Sequence, residues 1–145
     1  MQIDDAWHML SEEERLFCEV LERICADKIT PLASETDETS RFVHAQLATL
    51  GEAGMMGANL PEAYGGSGIS APALLRAVSI VAGACGSTAS ALTAHYLATD
   101  SILIGGTEAQ KQEWLPKAAS GEVLAAFALT EPTAGSDPAD MKTRA

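Results

Sequence analysis

Six residues near the C-terminal end, Leu124-Ala125-Ala126-Phe127-Ala128-Leu129, most narrow what this chain can become. The run is apolar throughout, short, and without helical spacing, so it predicts a buried β-strand. The next nine residues, Thr130-Glu131-Pro132-Thr133-Ala134-Gly135-Ser136-Asp137-Pro138, cannot continue as a regular element. Pro132 and Pro138 lack backbone donors and Gly135 punctuates the stretch, which predicts a folded-back loop. A strand that ends in small residues and hydroxyls leaves backbone N–H groups free to meet an anion or the carbonyl edge of a heterocycle. On pattern alone this is a candidate ligand loop. A plain hairpin loop with an Asx turn at Asp137 explains the same residues without a ligand.

Upstream, the spacing predicts five helices. Ser11 with Glu14 forms a capping box, and Leu16, Phe17, Val20, Leu21, Ile24, Cys25 and Ile29 make one stripe at helical period. Pro31 is expected to end or kink that helix, with the acidic run around Glu35, Asp37 and Glu38 as a solvated linker. A second helix is expected over 41–53, stopped by Gly54. Ser70 caps a third, running to about Cys85, with Pro72 tolerated in its first turn. The fourth, from Ser87 or Thr88 through Ile104, is apolar nearly all round and is expected to be the buried central helix. Thr107 and Gln110 form the capping box of a fifth, to about Ala119, which Pro116 should kink or shorten. Between the second and third helices lies Pro61-Glu62-Ala63-Tyr64-Gly65-Gly66-Ser67-Gly68, too rich in glycine for a regular element. No Lys-Ser/Thr comes after it and no β-α unit precedes it, so a phosphate loop is a weak reading.

Charge and cysteine usage narrow the function. The 145 residues carry a net charge of −11, which argues against nucleic acid or an anionic membrane surface as partner. An apolar share of 47% is that of a globular chain able to bury a core. No run approaches membrane-spanning length, and the opening MQIDDAWHML lacks a basic leader, so a soluble cytoplasmic protein is expected. Cys18, Cys25 and Cys85 read as core thiols, and His8, His44 and His95 have no ligand spacing, so no metal site is assigned. His95 and Asp100 read as satisfied core polar groups.

The string Ala128-Leu129-Thr130-Glu131-Pro132-x-Ala134-Gly135-Ser136-Asp137 closely resembles the flavin-binding segment of the acyl-CoA dehydrogenases. The Pro61-Glu62-x-Tyr64-Gly65-Gly66-x-Gly68 string is similar to the loop between the second and third helices of the same family. Thr133 stands where the family often has Gly, and Asp140 where a small residue is usual, but neither removes a backbone donor. The resemblance implies a mainly α chain: an N-terminal α-helical domain over 1–122, then, over 123–145, the first strand and loop of an incomplete β domain.

It also implies an FAD-dependent α,β-dehydrogenation of an acyl-CoA or other acyl thioester. Phe127, Leu129, Thr130, Gly135 and Ser136 would contact the cofactor, and Ser136 with Ser90, Thr93 and Leu97 the substrate. For the stripe Ser90, Thr93 and Leu97, tight helix packing through small residues stays open as an alternative. Glu131 is the nearest carboxylate, but a tight turn beside Pro132 explains it, and the family's base comes from a later helix, beyond residue 145. No catalytic residue is therefore assigned. Implied partners are a homo-oligomer, a tetramer by resemblance, or a complementing second polypeptide, with an electron-transfer flavoprotein as electron acceptor. An acyl-CoA oxidase, an acyl-carrier-protein dehydrogenase or a flavin monooxygenase on the same scaffold stays open. So does a non-catalytic helical module that binds a partner.

Overall fold

The computed structural model describes residues 8–144. The first seven residues, part of the stretch read as lacking a leader, lie outside the described residues.

Helix α1, Glu12–Ile24, starts where Ser11 Oγ accepts the Glu14 N–H while the Glu14 carboxylate accepts the Ser11 N–H. The same carboxylate also accepts the N–H of Ser70 at 2.8 Å. Ser70 is the N-cap of α4, Ala71–Ala84, so one side chain ties together two helix starts. The backbone and hydroxyl donors of Ser11 and Ser70 hold the Glu14 carboxyl at about 2, below its ordinary value, with the Ser11 backbone N–H the largest cause.

Pro31 does not end the first helical run. A π-helical turn, Cys25–Ile29, inserts between α1 and α2, Thr30–Thr39. Proline then falls in the first turn of α2, where its missing N–H has no intrahelical partner to lose. The acidic stretch expected as a linker is accordingly helical, and it closes on Ser40 in the left-handed region at φ 52°. Gln46 of α3, His44–Glu52, donates to Thr36 Oγ1 at 2.8 Å and pins α2 from inside.

α4 packs against both α1 and α5, Gly86–Gly105, and α5 packs against α6, Glu108–Ala119. The main core joins Leu21, Ile29, Leu50, Met55, Val81 and Leu92, all essentially without solvent contact. Each such side chain contributes roughly 1.5–3 kcal/mol by leaving water. A smaller cluster of Leu60, Leu115 and Ala119 seals the far end of α5. α6 runs through Pro116 to Ala119. The three cysteines are free thiols in the core.

Two further expectations are corrected. α5 is not buried all round: it turns Leu92, His95, Tyr96 and Thr99 inward and leaves Ser90, Thr93, Leu97 and Ser101 exposed. Its two faces look alike in sequence because the inward one carries polar residues that have a partner to meet. The second correction is larger. Among the described residues there is no β-strand, so the chain does not open a β domain. Residues 124–130 have no strand partner, and the only pairing nearby is an isolated antiparallel bridge between Glu131 and Ala134. A strand is defined by its neighbour's hydrogen bonds, and this run has none. Nor is it buried: Leu124, Phe127 and Leu129 are 41%, 39% and 38% exposed.

Two substitutions test this packing. A Cβ at Gly66 would lie 2.0 Å from the Leu60 carbonyl oxygen, whereas one at Gly83 in α4 meets nothing within 4 Å. Gly66→Ala is expected to lower the urea-unfolding free energy by about 2 kcal/mol or more, and Gly83→Ala to raise it by about 0.5–1 kcal/mol. The Glu14 clamp predicts a pH dependence. Because its folded pKa of about 2 is below the ordinary 4.5, its contribution is complete above 4.5 and disappears as the pH falls through about 2. The stability difference between wild type and Glu14→Gln, measured by urea melts, should therefore shrink across that window.

Candidate functional site

The Gly-rich loop expected between the second and third helices folds back on itself. Gly66 N–H donates to the Pro61 carbonyl at 3.1 Å, and Gly68 N–H to that of Leu60 at 3.0 Å. Just before it, the 3-10 turn Met55–Gly57 is fully buried: its Met55 carbonyl accepts the Ala58 N–H and its Gly57 carbonyl those of Leu60 and Ser67, while the Met56 carbonyl meets no backbone N–H among the described residues. α5 reaches the Met55 and Met56 carbonyls from its inward face. The Tyr96 hydroxyl donates to the Met55 carbonyl, and His95 Nε2 lies 3.1 Å from that of Met56. One turn on, the Asn59 amide donates to Thr99 Oγ1 at 3.0 Å and to Asp100 Oδ1 at 2.8 Å. Burial pushes the Tyr96 hydroxyl's pKa up and the His95 imidazole's down, so both are neutral groups at physiological pH.

From the end of α6 the chain turns at Gly121, φ 78°, and Val123 N–H closes on the Lys117 carbonyl at 3.1 Å. Ala125 N–H then donates to His95 Nδ1 at 3.0 Å. Beyond that anchor, among the described residues, no hydrogen bond is made by residues 126–129, nor by the backbone or hydroxyl of Thr130. The loop closes again at Glu131, whose N–H and carbonyl bridge to Ala134. Its carboxylate accepts the N–H groups of Lys142 and Thr143 and the Thr143 hydroxyl, the last at 2.8 Å. These donors, the Thr143 hydroxyl foremost, hold the Glu131 carboxyl below the usual range. Glu131 is thus a clamp for residues 131–143. Asp137 does form the Asx turn, accepting the Ala139 N–H at 3.0 Å.

Of the residues singled out from sequence, Phe127, Leu129, Thr130 and Ser136 are exposed, and Gly135 is half-buried. Thr130 and Gly135 come together, with a Cβ on the glycine 3.7 Å from the threonine methyl. Ser90, Thr93 and Leu97 share the outward face of α5, so they are not spent on helix packing. Thr93 turns its hydroxyl back to the carbonyls of Ala89 and Ser90. At 100° per residue this face is roughly opposite His95, so the two candidate sets are not joined through the Ala125 anchor.

A groove of about 620 Å³, not expected from the sequence, runs between α3 and the turn after α6, lined by His44, Leu47, Gly51, Met56, Gly121 and Leu124, among others. Small residues at 48 and 51 on the outer side of α3 were the available signal.

The profile of the acyl-CoA dehydrogenase N-terminal domain matches residues 11–122. This chain belongs to the acyl-CoA dehydrogenase family. A short-chain-specific acyl-CoA dehydrogenase of Clostridium acetobutylicum is 36% identical over 135 residues, covering 92% of this chain and 36% of that protein. Butyryl-CoA dehydrogenase of Megasphaera elsdenii superposes with a TM-score of 0.83 at 30% identity, over 92% of this chain and 36% of its own. An acyl-CoA dehydrogenase of Bacillus anthracis, solved complexed with FAD, does so at 0.79 and 35% identity, over 91% of this chain and 23% of its own. The chain thus spans about a third of the length of the family members it matches. The exposed features of the chain include the α5 stripe and most of the loop from 126 onward. Among the described residues, no helix is long and apolar enough to cross a membrane.

The Glu131 clamp is tested by Glu131→Gln. Loss of the charge-assisted bonds should raise amide exchange at Lys142 and Thr143 by roughly tenfold and leave α1–α6 unchanged.

Proposed function

We propose that this chain is the N-terminal part of an FAD-dependent acyl-CoA dehydrogenase, made of a helical unit over 1–122 and a flavin-contacting segment over 123–145. The observation that carries the reading is the free backbone of residues 126–130, which follows a helical unit of this family with its donors unspent. The donor set suits the cofactor. Neutral N–H groups and the Thr130 and Ser136 hydroxyls meet a carbonyl edge or a phosphate, while Phe127 and Leu129 present apolar surface to a ring system. Gly135, beside the Thr130 methyl, keeps the turn slim at that point. Bound there, FAD supplies the hydride acceptor for α,β-dehydrogenation of an acyl thioester.

The chain's own residues bind and orient. Leu129 and Thr130 offer backbone and hydroxyl donors where negative charge would develop, and Ser136 serves a phosphate or the CoA portion of the thioester. With its hydroxyl returned to the helix, Thr93 offers its methyl, and together with Leu97 and the slim Ser90 it makes an apolar wall for an acyl chain. The net charge of −11 offers no general attraction to an anionic CoA ester, so these local donors carry recognition. Glu131 is engaged by the 142–143 backbone and is assigned no proton transfer; the base lies outside this chain. In this reading the working form is a homo-oligomer or is completed by a further polypeptide, and the electron acceptor is a flavoprotein of the electron-transfer class.

The test is a titration with FAD followed by visible absorbance and gel filtration. A shifted, resolved flavin band that co-elutes with the chain is the expected result. Thr130→Ala and Ser136→Ala should each weaken binding by about two- to tenfold, the scale of one lost hydrogen bond. A folded helical sample that leaves the flavin spectrum unchanged would count against the assignment.

A further inference from the structure

His95 carries more of the geometry than a satisfied core histidine needs to. It is completely buried, yet both ring nitrogens face backbone from two separate stretches of chain. The partners differ in kind: a carbonyl, that of Met56, lies 3.1 Å from Nε2, and an N–H, that of Ala125, lies 3.0 Å from Nδ1. Only one tautomer serves both, with the proton on Nε2 and the lone pair on Nδ1. Ala125 is also the last residue before the free run 126–130 that any hydrogen bond holds to the helices.

We propose that His95 is a positioning residue whose unprotonated Nδ1 sets where residues 126–130 leave the helical unit, and that proton uptake at Nδ1 detaches them. A proton on Nδ1 would oppose the Ala125 N–H donor to donor, so the imidazolium and that hydrogen bond exclude each other. Among the described residues no charged group is placed to steady the cation. The turn Met55–Gly57 contributes no ionisable side chain, and Tyr96, its ring centroid 6.2 Å away, donates its hydroxyl to Met55. On α5, Asp100 accepts from Asn59. On α6, Lys117 lies over the Trp114 ring at 5.3 Å and Lys111, Glu108 and Glu113 are at the surface or half-buried. Glu122, ahead of Val123, and Glu52, at the end of α3, are exposed. Burial holds the imidazole pKa below its ordinary 6.5, while the carbonyls of Met56 and Ala118 pull the other way. Attachment is therefore complete above 6.5 and is lost as the pH falls through the lowered value.

Neither the anchor nor its release requires the flavin reading; only the consequence for cofactor binding rests on it. The experiment is nitrogen and amide NMR on the full chain without cofactor. The imidazole shifts should report a protonated Nε2 and a bare Nδ1 at neutral pH, and the Ala125 protection factor should fall in step with the His95 titration. His95→Leu should lower Ala125 protection on the order of tenfold with Leu92 unchanged. His95→Asn, whose amide oxygen can stand where Nδ1 stands, should restore most of it. A proton found on Nδ1, or equal Ala125 protection in wild type and His95→Leu, would overturn the proposal. If His95→Leu does not fold, the wild-type titration and His95→Asn decide. Repeating the FAD titration on the same variants separates the two readings. A lost anchor with unchanged flavin affinity confirms the positioning role and counts against the flavin assignment.

Discussion

Residues 55–60 form an irregular, largely buried stretch whose Met56 carbonyl meets no backbone N–H among the described residues, and the structure depends on α5 to face that carbonyl and to add a second donor at Met55. A buried carbonyl left without a partner costs about 1–3 kcal/mol. Tyr96, His95 and the Thr99–Asp100 pair meet the loop at spacings that one helical face provides. That requirement explains why the inward face of α5 is polar where an ordinary core helix is apolar. It also explains why Gly66 is bare: the loop returns so close to Leu60 that no side chain fits between them. The loop and α5 are therefore one unit, and the groove beside Met56 is a by-product of their closeness to α3 and the α6 turn.

The same imidazole that completes this unit faces the segment leaving it. Because the ring is buried and uncharged, its two nitrogens can serve opposite roles, acceptor toward Ala125 and donor toward Met56. The body of the fold and the root of the candidate cofactor segment thus share one side chain. Distally, Glu131 does a similar task with a charge, gathering the backbone of 142–143. Between those two fixed points the run 126–130 is held at both ends and free in the middle, an arrangement suited to meeting a ligand along its length.

Much of the helical architecture was legible from local signals. The capping boxes at Ser11 and Thr107 and the Ser70 cap appear where their residue types and three-residue spacing predict them, because capping is decided within one turn. The loop motifs that mark the family were equally readable, since fixed residue types at fixed offsets are a property of the chain alone. Less legible were features where distant chain competes with local preference. Pro31 was expected to end or kink a helix; instead a π turn precedes it and α2, pinned by Gln46 on Thr36, continues the helical run. The apolar run 124–129 was expected to be a buried strand, and it is neither paired nor buried.

By itself, then, the sequence determined where the helices with side-chain caps begin, which residues lack a side chain or a donor, how the charge is distributed, and which family the loops resemble. These come from interactions within a few residues, or from composition. Tertiary structure alone decided that Ser90, Thr93 and Leu97 face outward, that Glu131 is engaged, and that His95 joins Met56 to Ala125 across 39 and 30 residues of chain. Strand pairing, side-chain orientation on a face of mixed polarity and the tautomer of a buried imidazole each depend on a partner far away in sequence, and only the folded chain brings that partner into reach.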